Sequence, residues 1–207
     1  QQIGSLESAG GNDVQLVDTL AFGAGESDFN QMTIVSVADS TRPRMLGSAG
    51  RPGWGTGVWA SGLVQTAFVG SHWEGLQIYD VRSTSNPMRD TSLMGAYEAV
   101  DVCIDNGRAY VANEMAGLKI LDISDPVSPT TLGSYDTAGQ APGIASAVAR
   151  DSFAFVGWPR PKFRALDVGD PAAPLFAGTC ELFGYPEDMV LRDSFVYVAE
   201  MNRFQIV

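Results

Sequence analysis

The sequence contains one histidine, His72, within Ser-His-Trp-Glu-Gly at residues 71–75. An imidazole beside a carboxylate can move protons, but general acid–base catalysis needs a positioned partner, and no spacing supplies one. No nucleophile elbow, zinc ligand set or phosphate-cradling loop is present. Paired carboxylates for glycoside cleavage could be drawn from Glu74, Glu98 and Glu114, but that reaction depends on a carboxyl separation that sequence does not give. Aromatic residues are more suggestive. Trp54, Trp73, Tyr97, Trp158 and Tyr185 fall in irregular stretches that also carry His72, Glu74, Glu98, Glu114, Arg160, Glu187 and Glu200. Rings interleaved with carboxylates on loops suit a sugar ring or a peptide. The competing expectation is that these large side chains plug the space between loops.

Such residues act together only if the elements carrying them bring them to one place, and here the elements repeat. The segments Ile78–Pro87 (IYDVRSTSNP), Ile120–Pro129 (ILDISDPVSP) and Ala165–Pro174 (ALDVGDPAAP) share one pattern, and Ile34–Pro43 (IVSVADSTRP) is a weaker copy with Ser36 in place of the aspartate. Their closing prolines stand at 43, 87, 129 and 174, spaced by 44, 42 and 45 residues. Each copy follows a strand-like run such as AYVANE or FAFVGW, which itself follows another, such as VDVCID or DMVLRD. A further run, such as TTLGSY, comes after the proline. Short alternating runs punctuated by Gly, Pro and Asp read as antiparallel strands. Four strands per period of this length is the period of a β-propeller blade. Asp80, Asp122 and Asp167 then end the third strand, where a carboxylate accepts backbone N–H bonds from the following turn.

The expectation is an all-β, five-bladed β-propeller of four-stranded antiparallel blades. We letter the strands of a blade A (inner) to D (outer). The blades fall at about 13–49, 57–96, 99–136, 143–180 and 187–207 plus 1–8, in a single propeller domain. The N-terminal QQIGSLESAG matches TTLGSYDTAG of residues 130–139 position for position. The N-terminal strand, with Ile3 to Leu6 at its centre, is thus expected to close the last blade and remove its exposed edge. The rival reading is a segment cut from a longer propeller. Because the chain starts at Gln1 with no signal-like segment, it is expected to be a processed chain or a fragment.

The Asp13, Asp101 and Asp188 side chains occupy equivalent positions at the start of strand A, with Trp59 and Ser146 in the other two copies. Three carboxylates near one entrance could hold a hard cation such as calcium, which prefers oxygen ligands. They could equally bond N–H groups of adjacent blades. The connections D-to-A and B-to-C lie on one face of a propeller, and the candidate binding residues Trp54, His72, Trp73, Glu74, Tyr97, Glu114, Trp158, Arg160 and Glu200 all fall on them.

GLKILDISDPVSP and GLQIYDVRSTSNP resemble segments of the LVIVD-repeat family, propeller-forming repeats of bacterial and archaeal surface or secreted proteins. The resemblance runs through most of the chain, and is weakest in the first blade. It implies an extracellular or cell-surface domain, non-enzymatic, using its loop face for protein or carbohydrate contact. The alternative class is a carbohydrate-active enzyme, a hydrolase or lyase, with loop-face carboxylates.

Composition narrows the partners. The net charge of −11, with Lys119 and Lys162 the only lysines, argues against a nucleic-acid backbone as ligand. No run of 18 apolar residues is present, so no transmembrane helix is expected. The sequence has no Asn-x-Ser/Thr site for glycosylation. Cys103 on an inner strand and Cys180 on the outer strand of the next copy should lie too far apart to bond. No cofactor is implied beyond the possible calcium.

Overall fold

The computed structural model describes residues 11–27, 30–50, 53–61, 65–93, 98–114, 116–136, 143–158 and 162–207. It resolves into two compact units, Gln1–Tyr97 and Glu98–Val207. The first unit holds two blades. Strands β1 (Asp13–Val17), β2 (Leu20–Ala24), β4 (Met32–Ser36) and β5 (Arg44–Ala49) form one antiparallel sheet in that order. The second sheet runs β3 (Glu26–Ser27), β6 (Gly53–Ser61), β7 (Thr66–Ser71), β8 (Gly75–Asp80) and β9 (Met88–Leu93).

The second unit holds three blades. The first contains β10 (Ala99–Asp105), β11 (Arg108–Asn113), β12 (Gly117–Asp122) and β13 (Thr130–Tyr135). The next contains β14 (Ser146–Arg150), β15 (Phe153–Trp158), β16 (Lys162–Asp167) and β17 (Leu175–Glu181). The last has only β18 (Pro186–Arg192), β19 (Phe195–Glu200) and β20 (Arg203–Ile206). The fold is all-β, a five-bladed propeller whose last blade is three-stranded among the described residues. Residues 1–10, expected to supply the fourth strand, lie outside the described residues.

The sequence pattern follows from what covers each strand. In the second and third blades strands B and C are covered on both faces, so they read as nearly unbroken apolar or small runs. All six residues of β7 and the first five of β8 are buried. Strand D has one open side, and β9 exposes Met88, Arg89 and Asp90. One apolar cluster of the second unit joins Tyr110, Leu118 and Ile120 of one blade to Ile144, Ala147 and Val156 of the next. Within each unit the apolar clusters join one blade to the next.

The repeated turn works as its residues suggest. Asp80 Oδ1 accepts the N–H of Arg82 at 2.9 Å, Asp122 that of Ser124 at 2.8 Å, and Asp167 that of Gly169 at 2.9 Å. In the first blade, where Ser36 stands in place of that aspartate, Asp39 accepts the N–H of Thr41 at 3.0 Å, the bond its equivalents Asp125 and Asp170 make to Val127 at 3.1 Å and Ala172 at 3.0 Å. The backbone bond to Ser124 holds the Asp122 carboxyl below its ordinary range, and the bond from the Arg82 side chain does the same for Asp80. Every complete blade shifts register at the same point between strands C and D: Ile34/Val35, Ile78/Tyr79, Ile120/Leu121 and Ala165/Leu166. Such a bulge bends the outer strand and strengthens its twist.

The strand limits differ from expectation in the second blade. There β6 starts at Gly53 rather than near residue 57, because its first residues pair with the short β3, Glu26 opposite Trp54. The last blade starts at Pro186 and β17 runs on to Glu181.

Candidate functional site

In the first unit the expected loop residues come together. Pairing with β3 fixes the backbone of Trp54, whose carbonyl accepts the N–H of His72 at 3.3 Å. The hairpin that follows β7 is closed by Ser71, whose Oγ accepts the N–H of Glu74 at 3.3 Å, and Gly75 takes the left-handed φ of 71° that ends it. The His72 ring then sits 5.9 Å from Trp54, tilted by 38°, and 5.2 Å from Trp73, edge-on at 88°. The outcome is a three-ring cluster with two open faces: Trp54 is 45% exposed and Trp73 69%. Trp73 therefore does not plug the space between loops, the competing expectation for this set of side chains.

Beneath these rings lies a buried polar network. Gln31, 2% exposed, donates from Nε2 to Ser71 Oγ and to Glu74 Oε2, both at 3.2 Å. Its Oε1 accepts the hydroxyl of fully buried Tyr79 at 3.3 Å. Burial pushes the Tyr79 phenol up to about 12, so it stays a donor. Arg89 NH1 lies 3.7 Å from Glu74 Oε2 and bonds Gln77 Oε1 at 3.0 Å. Glu74 is thereby a positioning carboxylate, fixed from below by Gln31 and balanced by Arg89. Gln31 and Arg89 belong to no repeated pattern, so sequence reading missed both. Ser71 carried a signal, since it aligns with Asn113, whose Oδ1 caps the equivalent hairpin through the N–H of Ala116 at 2.9 Å.

The second unit treats its expected site residues differently. Glu114 is half-buried, and its backbone packs so closely on the start of the next blade that a Cβ at Gly143 would come 1.3 Å from its carbonyl oxygen. Glu200 is 6% exposed, and both of its carboxylate oxygens are buried without a hydrogen-bond partner. Tyr97 and Arg160 lie outside the described residues, as does the side chain of Trp158.

The strand-A aspartates are occupied with backbone. Asp13 accepts the N–H of Val14 and, from the next blade, that of Val58, both at 2.7 Å. Asp101 likewise accepts Val102 N–H at 2.7 Å and Ala147 N–H at 2.9 Å. Asp188 bonds Met189 N–H at 2.7 Å. Further along the same strands, Gln15 receives the N–H of Ala60, Cys103 Sγ that of Ala149 at 3.4 Å, and Asp105 that of Asp151 at 2.8 Å. Alternate side chains of strand A thus clasp the inner strand of the following blade. Among the described residues no group of three or more His, Cys, Asp or Glu side chains is placed to hold a metal ion. The amide contacts also reset one alignment: Val58 takes the place of Ala147, so Gly57, not Trp59, is the equivalent of Asp13. A count along the chain hid this, because four residues separate the paired Ser61 and Thr66 where only two separate Asp105 and Arg108.

Both cysteines are free, as expected. A cavity of about 460 Å³ lies elsewhere, between the last two blades and lined by Phe153, Phe155, Phe163, Val196 and Val207 among others.

Successive antiparallel blades, clasped through their inner strands from the first to the second and from the third to the fourth, define the chain as a β-propeller. Within it, residues 96–137 match the LVIVD repeat. A search of curated protein sequences finds no match. Among solved structures, the chain is similar to the periplasmic gluconolactonase PpgL of Pseudomonas aeruginosa, at 14% identity and a TM-score of 0.75, covering 94% of this chain and 64% of that one. A protein of unknown function from Desulfotomaculum acetoxidans gives 16% identity and a TM-score of 0.73 with the same coverages. Raptor of Chaetomium thermophilum gives 13% and 0.75, over 99% of this chain and 20% of that one. This chain spans less than two thirds of each. At such identities the likeness is one of fold.

Proposed function

We propose that this chain is a non-enzymatic binding module of an exported or cell-surface protein, and that the Trp54–His72–Trp73 cluster is its contact surface for a carbohydrate or protein partner. The observation that carries this reading is the exposure of two tryptophan rings, Trp73 on a hairpin held by buried polar groups and Trp54 on the strand beside it. Exposed large aromatics gain nothing for the core, and ring faces presented by a fixed hairpin match the apolar face of a pyranose or an apolar side chain. Ser71, Gln31 and Arg89 fix the hairpin in advance, which lowers the ordering cost of binding. Export is supported by the LVIVD repeat and by the acidic, lysine-poor composition. The test is a display of glycans and of extracellular proteins probed with the wild type and with Trp54→Ala and Trp73→Ala. Binding lost in both variants, with unfolding unchanged, supports the reading. Equal binding by all three proteins refutes it.

For the last blade, we propose that residues 1–8 supply the missing outer strand. Support comes from the match of QQIGSLESAG to the sequence of β13 and the residues after it, and from the exposed Phe204 and Ile206 on β20, which has no outer neighbour among the described residues. Deleting residues 1–9 should lower the melting temperature by several degrees, and an unchanged value would dismiss the closure.

A further inference from the structure

Two departures from the repeat coincide at the junction of the last two blades, on the side where strand A begins and strand B ends. The first is Ser146. Its equivalents Asp13 and Asp101 reach the next blade's amides, but the serine is too short, and its Oγ is left buried without a partner at 1% residue exposure. The second is Glu200. Its equivalents Ser71 and Asn113 cap their hairpins, but Glu200 caps nothing, and its two oxygens are buried and unpartnered. Each position borders Pro186. A Cβ built on Gly157 would lie 2.6 Å from Ser146 Oγ and 3.0 Å from the Pro186 ring, and Pro186 pairs directly with Glu200, which puts both side chains on one face of the blade.

A buried carboxylate without donors is costly unless something donates to it. The ion pairs of the described residues, at Asp80, Glu74 and Glu181, do not involve it. Arg203, its neighbour across the hairpin, instead lies over the Phe183 ring, 5.3 Å from the centroid. The backbone above the carboxylate is Gly184, where an added Cβ would stand 2.9 Å from Oε2, and it is flanked by exposed Phe183 and Tyr185. A side-chain-free residue thus covers a negative group between two open rings, one of which already carries a cation on its face.

We propose that Glu200, under the Phe183–Tyr185 loop, forms a binding site for a protonated primary amine, whose N–H donors the carboxylate accepts beside the two exposed rings. This site lies in the second unit and is independent of the aromatic cluster of the first.

Thermal unfolding of the full chain in methylammonium chloride tests it, against sodium and tetramethylammonium chloride at equal ionic strength. The amine should raise the melting temperature saturably, since it binds the folded state, and the two controls should not. Glu200→Gln removes the charge at constant shape and should weaken the amine effect about tenfold. Gly184→Ala crowds the carboxylate and should weaken it as well, which keeps the test decisive if the first variant fails to fold. Sodium matching methylammonium, or either variant responding like the wild type, would overturn the assignment.

Discussion

The outer strands of two blades in the second unit offer a matched pair of substitutions. Gly133 and Gly178 occupy the same place in TTLGSY and FAGTC. A Cβ at Gly133 would stand 2.1 Å from the carbonyl oxygen of Pro171 and 3.0 Å from Ala172 Cα, both backbone atoms of the next blade's turn. That turn cannot yield cheaply, because Asp170 holds it through the N–H groups of Ala172 at 3.0 Å and Ala173 at 3.1 Å. Ordinary contact requires a retreat of about 1 Å, and overpacking of this kind costs about 1–3 kcal/mol. At Gly178 an added Cβ meets nothing within 4 Å. There alanine only restricts the unfolded chain, for a gain of about 0.4–1 kcal/mol. Gly133→Ala and Gly178→Ala should therefore differ by about 1.4–4 kcal/mol in urea unfolding followed by circular dichroism, with the slope unchanged. The reasoning fails if Gly178→Ala is as destabilising as Gly133→Ala, or if Gly133→Ala unfolds with the wild type.

Asp101→Ala strips the acceptor from the partly buried N–H of Ala147, and should cost about 1–3 kcal/mol in the same assay. Because both Asp101 oxygens are engaged, calcium or EDTA should leave the wild-type melting temperature unchanged. Burial pushes the Cys103 thiol up to about 11, so a thiol reagent at pH 8 should label Cys180 well before Cys103, as peptide mapping would show. The carboxyls of Asp39, Asp80 and Asp122 are lowered on folding by their turn bonds. Their contribution is therefore full above the ordinary aspartate range and is lost as pH falls through the folded values, below about pH 4. Asp122→Asn keeps an acceptor but removes the titration, and should flatten the acid limb of a pH–stability curve.

Strand order, blade number and the turn aspartates were legible because each is written several times. A pattern such as ILDISDP encodes a buried strand, a turn acceptor and a turn proline within seven residues, and three further copies confirm its period. What escaped was whatever happens once. Gln31 supports the aromatic hairpin from a different blade, across about forty residues of sequence, and nothing local marks it. The A-to-B connection of the second blade, two residues longer than that between Asp105 and Arg108, shifted the equivalence of Asp13 from Trp59 to Gly57, because a count along the chain cannot see an added pair of loop residues. Glu200 was picked as a loop-face candidate, but its burial depends on Gly184 lying over it, a contact visible only in three dimensions.

The most direct test of the central claim is the NMR response of the indole N–H groups in a uniformly ¹⁵N-labelled chain, titrated with a ligand recovered from the glycan and protein display. The indole signals of Trp54 and Trp73, assigned by substitution, should shift together along one binding curve, while that of Trp59, packed edge-on against Phe68, stays in place. Shifts confined to residues outside the Trp54–His72–Trp73 cluster would contradict the account.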